Sequence, residues 1–140
     1  MMVLVDTCVW SAALRRKKTD APLSEEALIL QRLIRQHRAV MIGPVLQEVL
    51  TGIRYTEQFT RLQTKLKAFE LLSIEPADYI QAAIYSNMCR SKGIQGSHTD
   101  YLIATVAIKY HIPVLTTDND FTHYQKHIPV QLFAKPEDFL

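Results

Sequence analysis

Residues 2–10, Met2-Val3-Leu4-Val5-Asp6-Thr7-Cys8-Val9-Trp10, decide the fold. A short apolar run with β-branched residues reads as a strand, and an aspartate follows it at once. Further strands read at 39–42 (AVMI), 71–74 (LLSI), 113–116 (PVLT) and 130–133 (VQLF). Between these runs the apolar residues change to helical spacing. Ser24 can cap one helix, with Glu25 and Glu26 favourable in its first turn. Pro44 suits the start of the next, whose apolar face carries Val45, Leu46, Val49, Leu50 and Ile53. Phe59, Leu62, Leu66 and Phe69 keep the same spacing. Pro76 opens a helix with Ile80, Ala83, Ile84 and Met88 on one face and Gly93 at its end. Leu102, Ile103, Val106, Ala107 and Tyr110 form the last stripe. All these stripes are expected to face the core. Strands separated by whole helices must be mostly parallel, with right-handed crossovers. The expected fold class is α/β: a mostly parallel central sheet of four to five strands with helices on both faces.

The chain has 140 residues, 48% of them hydrophobic and 21% charged. That suits one domain spanning 1–140, with roughly two thirds of the unfolded surface buried, and argues against disorder. Cys8 and Cys89 lack CxxC spacing, so neither a disulfide framework nor a structural zinc site is expected. No apolar run reaches the ~18 residues of a membrane span, and the first residues lack the basic segment of a secretory signal. A reduced, cytoplasmic protein is the expectation. A net charge of +2 is too mild to declare a nucleic-acid binder. The basic residues are nevertheless clustered, at Arg15, Arg16, Lys17 and Lys18 and again at Arg54, Arg61, Lys65 and Lys67. Such clusters either track phosphates or are solvated surface.

In an open parallel sheet, ligands bind at the carboxyl ends of the strands, near the point where strand order reverses. Asp6 follows the first strand, and Asp118 and Asp120 follow the strand at 113–116. Glu48 lies on the helix after the second strand, and Asp100 in the first turn of the helix at 99–111. Each has a structural reading. Asp6, Asp118 and Asp120 suit turns, Ser97-His98-Thr99-Asp100 fits a loose capping box, and Glu48 lies opposite its apolar stripe. Gly52, one helical turn after Glu48, either ends that helix or clears space beside the glutamate. Together the acids say more. Two carboxylates ~5 Å apart repel by roughly 3 kcal/mol at an effective dielectric of 20. A convergent set therefore needs a cation or sharply raised pKa values. All-oxygen ligands suit Mg²⁺ or Mn²⁺ rather than zinc, and a cluster able to hold two such ions cleaves phosphodiesters.

The ordered segments Asp6-Thr7-Cys8-Val9-Trp10, Glu48-Val49-Leu50-Thr51-Gly52, Asp100-Tyr101-Leu102-Ile103-Ala104-Thr105 and Thr116-Thr117-Asp118-Asn119-Asp120-Phe121 resemble the motifs of PIN-domain nucleases. They are most similar to those of VapC toxins of bacterial toxin–antitoxin pairs, over essentially the whole chain. The resemblance implies catalytic Asp6, Glu48, Asp100 and Asp118, with metal on Asp6, Asp100, Asp118 and Asp120. It implies that Thr116 orients a carboxylate or a water. It also implies Mg²⁺ or Mn²⁺ as cofactor, an RNA substrate, a homodimer and an antitoxin partner that blocks the site. Arg15, Arg16, Lys17 and Lys18 would then meet the RNA backbone. Cys8 replaces a residue that is commonly serine or another small one, and Thr105 an alanine; neither change removes a carboxylate. A PIN nuclease of RNA processing outside a toxin pair, and a non-catalytic RNA-binding scaffold, are the alternative readings.

Other motifs fail on context. Asp118-Asn119-Asp120-Phe121-Thr122 fits the DxDxT of aspartyl-nucleophile phosphatases, but that motif opens its fold. His123 and His127 lack a third ligand, and Gly93-Ile94-Gln95-Gly96 reads as a flexible connection rather than a phosphate clamp.

Overall fold

Val3–Val5 (β1), Ala39–Ile42 (β2), Glu70–Leu72 (β3) and Val114–Leu115 (β4) form one sheet in the order β3-β2-β1-β4. Every pairing is parallel. The structure is a computed structural model that describes residues 1–15 and 22–140; Arg16, Lys17 and Lys18 of the first basic run lie outside the described residues. The helices are Thr7–Leu14 (α1), Glu25–Arg35 (α2), Gly43–Leu50 (α3), Thr56–Leu66 (α4), Pro76–Arg90 (α5), His98–Tyr110 (α6) and Asp120–Tyr124 (α7). Ser24 caps α2 by accepting from the Ala27 amide at 3.2 Å, and Pro44 lies in the first turn of α3, both as the sequence suggests.

The chain steps from β1 to β2 to β3 in one direction, then returns past β1 to β4. Right-handed crossovers running in opposite directions place their helices on opposite faces of the sheet. The packing agrees. α1 meets α2 and α3, α3 meets α4, and separately α5 meets α6, which lies against β4. Strand order therefore reverses between β1 and β4, and the carboxyl ends of those two strands flank the switch point.

β1 and β2 are buried along their whole length. Trp10 is fully buried beneath them, donating from Nε1 to the Val5 carbonyl at 3.1 Å and packing on Phe69 with ring centroids 4.7 Å apart. α6 is the central helix, with residues 100–107 all buried.

Three expectations need correction. The run at 130–133 is not a strand but a single parallel bridge from Leu132 to Val114, whose amide donates to the Gln131 carbonyl and whose carbonyl accepts from the Phe133 amide, and the ladder goes no further. The apolar stripe of α5 does not face the core: Ile80, Ile84 and Met88 are 64%, 46% and 44% exposed. That helix packs on α6 through Asp78, Ala82 and Cys89 instead. Tyr110, placed in the buried stripe of α6 by its spacing, is likewise exposed at the end of that helix.

Gly52 has φ +84, and a Cβ placed there would meet nothing within 4 Å. It turns the chain after α3 in the left-handed region and clears no space beside Glu48. Gly93, at φ +77, plays the same part after α5. Among the described residues no helix is long and apolar enough to cross a membrane.

Candidate metal centre

Asp6 leaves the end of β1 as the N-cap of α1. Its Oδ1 accepts from the Thr7 amide at 2.7 Å, and its Oδ2 accepts from Thr116 Oγ1 at 2.7 Å. Thr116, just past β4, also accepts from the Asp118 amide at 2.9 Å. Asp118 Oδ1 in turn accepts from the Asp120 amide at 2.9 Å. Two strand ends are thus tied together through one hydroxyl. Asp100 arrives from the first turn of α6. Ser97 caps that helix by accepting from the Asp100 amide at 3.0 Å, whereas the Asp100 carboxylate accepts from Tyr124 Oη at 2.7 Å. The capping-box pattern is therefore real in part, and it also aims the carboxylate at the sheet edge.

Asp6, Asp100 and Asp118 each present an oxygen, and these atoms lie within 4.8 Å of one another. No other group of three or more Asp, Glu, His or Cys ligands occurs among the described residues, so His123 and His127 form none. The ion pairs among the described residues are Lys109–Asp78 and Lys135–Glu25, neither of them at the cluster. Burial pushes the Asp6 carboxyl above its ordinary value, with a smaller contribution from the Asp118 charge; hydrogen bonds from Thr116, Thr7 and Cys8 oppose this. Burial likewise raises Asp100, reinforced by Asp6 and Asp118 and opposed by the Tyr124 hydrogen bond. Hard oxygen donors at this spacing, short of positive charge, fit a divalent cation.

The other candidate residues stand around this centre. Glu48 is exposed on α3 and accepts from Thr7 Oγ1 at 2.6 Å, so it is linked to Asp6 through one residue but is outside the three-acid group. Asp120 is exposed in the first turn of α7, and its amide rather than its carboxylate supports the cluster. Arg15 donates to the Thr51 carbonyl at 3.5 Å, between α1 and α3. Cys8 is half-buried, 3.6 Å from Asp6 Oδ2 and 3.1 Å from Thr117 Oγ1, and Cys89 is buried; both are free thiols.

Sequence reasoning missed Thr7, Tyr124 and Gly96. Thr7 lies within the first quoted motif. The contact of Tyr124 with Asp100 spans 24 residues and left no local signal. Gly96 is not a flexible link: a Cβ there would run into Tyr124 Oη and come within 2.8 Å of Tyr101 Cε2.

The PIN domain family profile matches residues 3–127. The chain belongs to the PIN domain family. Its members are generally nucleases with acidic metal-binding residues. A chain in the crystal structure of FitAcB from Neisseria gonorrhoeae has the same fold, with a TM-score of 0.66 and 22% identity, covering 95% of this chain and 97% of that one. A comparison with curated proteins gives no match.

Proposed function

We propose that this PIN domain protein is a divalent-metal-dependent endoribonuclease that hydrolyses RNA phosphodiester bonds. It acts as the toxin of a toxin–antitoxin pair in the cytoplasm. The observation that carries this reading is the convergence of Asp6, Asp100 and Asp118 at the switch point of the sheet, with oxygens within 4.8 Å. These three residues would hold Mg²⁺ or Mn²⁺. Bound there, such an ion would supply Lewis-acid polarisation of the scissile phosphate and a lowered pKa for a water.

The chain's own residues do the rest. Thr116 keeps the Asp6 and Asp118 segments in register through its paired hydrogen bonds. Glu48, exposed and accepting from Thr7 Oγ1, is the fourth catalytic carboxylate and would take a proton from the attacking water. Asp120 completes the acidic lining. Arg15, with Arg16, Lys17 and Lys18 following it in sequence, meets the RNA backbone without reading bases. The antitoxin partner and the homodimer follow from the similarity of the four motifs to VapC toxins.

Cleavage of total bacterial RNA tests the reading, with Mg²⁺, Mn²⁺ or EDTA and with Asp6→Asn beside wild type. Fragments are expected with either metal and not with EDTA or the variant. A folded, partner-free wild type that cuts no RNA, or cutting that survives both EDTA and Asp6→Asn, overturns it. The toxin role adds a cellular outcome: expression arrests growth, and Asp6→Asn relieves the arrest.

A further inference from the structure

Asp100 is held by a part of the chain that lies outside the acidic motifs. Tyr124, the last residue of α7, is fully buried and donates its hydroxyl to Asp100 Oδ2 at 2.7 Å. Its ring is gripped by Tyr101 and Phe121, with centroids 4.9 and 5.1 Å away. The backbone of Gly96 is not in the left-handed region, so conformation does not demand glycine there. Space does: a Cβ on residue 96 would clash with the Tyr124 hydroxyl and crowd the Tyr101 ring. At its other end α7 fixes a second acid, because the Asp120 amide donates to Asp118 Oδ1 at 2.9 Å. One helix of five residues thus touches two of the three clustered carboxylates.

We infer that Tyr124, with Gly96 clearing the place of its hydroxyl, is a positioning residue that fixes the Asp100 carboxylate for the cation. This inference rests on the metal-nuclease reading above. A carboxylate free to turn about its last bond offers a cation one oxygen, the other, or both. A neutral donor on Oδ2 stops that rotation and leaves the second oxygen to ligate. Mg²⁺ demands near-octahedral geometry and tolerates little wandering of its ligands. Hydrogen-bond partners behind metal ligands commonly carry about 10–100-fold in affinity.

The test is calorimetric titration of the purified full chain with Mn²⁺, comparing wild type, Tyr124→Phe, Gly96→Ala and Tyr101→Phe. Tyr124→Phe keeps the ring and removes only the donor. Gly96→Ala pushes the same hydroxyl aside together with the neighbouring edges of the Tyr124 and Tyr101 rings, and carries the test alone if Tyr124→Phe misfolds. Tyr101→Phe is the packing control, since the Tyr101 hydroxyl is buried in the same aromatic group and has no hydrogen-bond partner among the described residues. The first two variants are expected to weaken the Mn²⁺ Kd about 10-fold, with unchanged circular dichroism and with cleavage recovering at saturating Mn²⁺. Tyr101→Phe should leave the Kd where it is. An unchanged Kd in Tyr124→Phe, or an equal loss in Tyr101→Phe, overturns the positioning role and leaves the cation site standing. A wild type that takes up no Mn²⁺ overturns the metal reading and this role with it.

Discussion

At Thr116 a single hydroxyl serves two acids, donating to Asp6 Oδ2 and accepting from the Asp118 amide. Thr116→Val keeps the shape and removes both bonds, leaving a buried carboxylate and an amide short of partners. A loss of about 2 kcal/mol in stability is expected. Denaturant melts check it; a variant within 0.5 kcal/mol of wild type, on the order of an ordinary surface change, would mean that the hydroxyl is incidental. Asp6 and Asp100 give a prediction of the opposite sign. Both carboxyls are raised by burial, so the folded protein holds their protons more tightly than the unfolded chain does. Metal-free stability contributed by these groups is therefore full below the ordinary value of 3.8 and is lost as pH rises through the raised values. Asp100→Asn removes that cost while its amide oxygen can still accept from Tyr124. In EDTA at neutral pH its Tm should lie above that of wild type, and the gap should shrink as pH falls. A variant that melts below wild type at pH 7 refutes the argument.

α5 shows where helical periodicity stops being informative. Spacing establishes that Ile80, Ala83, Ile84 and Met88 share a face, but it carries no information on what that face meets. The helix packs on α6 through small residues, Ala82 and Cys89, which leave no strong apolar signal. By contrast the stripes of α3 and α4 read correctly, because each of those helices has one apolar face that the core can take. Ile84→Ser on the exposed stripe should cost less than about 0.5 kcal/mol, whereas Leu33→Ala on the buried face of α2 should cost about 2–5 kcal/mol. Equal losses in thermal melts would mean that the α5 face is buried in the folded protein in solution. A polar contact also joins α5 to α6. Asp78 Oδ2 accepts from the Glu75 amide at 2.8 Å and pairs with Lys109 Nζ at 3.1 Å. That amide, and then Lys109, hold the Asp78 carboxyl below its ordinary value. Its contribution is present above 3.8 and is lost as pH falls through the lowered value. Asp78→Asn should destabilise at neutral pH and approach wild type in acid; a deficit that stays constant down to pH ~3 would deny the charge a role.

Across the whole molecule the site is assembled from positions 6, 100 and 118, contributed by β1, α6 and the segment after β4. The two strand-end acids were legible because a strand that ends on an aspartate is a local event, and a parallel α/β pattern says which end of the sheet matters. Asp100 was ambiguous because the same four residues fit a helix cap. What turns its side chain to the cluster is Tyr124, seated against Gly96, a contact that no window of sequence contains. The motif carries Glu48, yet its link to Thr7 spans 41 residues and only the folded chain reveals it. A centre built from such distant parts exists only when β1, β4 and α6 are all in place, so a bound cation should stabilise the fold as a whole. At a free Mn²⁺ concentration 100 times the Kd, linkage adds about 2.7 kcal/mol. For a domain of this size that raises Tm by about 10 °C, and excess EDTA should reverse it. The rise should vanish in Asp6→Asn, which removes one of the three candidate ligands while its amide oxygen can keep the Thr116 hydrogen bond. A Tm increase of equal size in wild type and Asp6→Asn would place the ion elsewhere on the protein and detach the acidic cluster from metal binding.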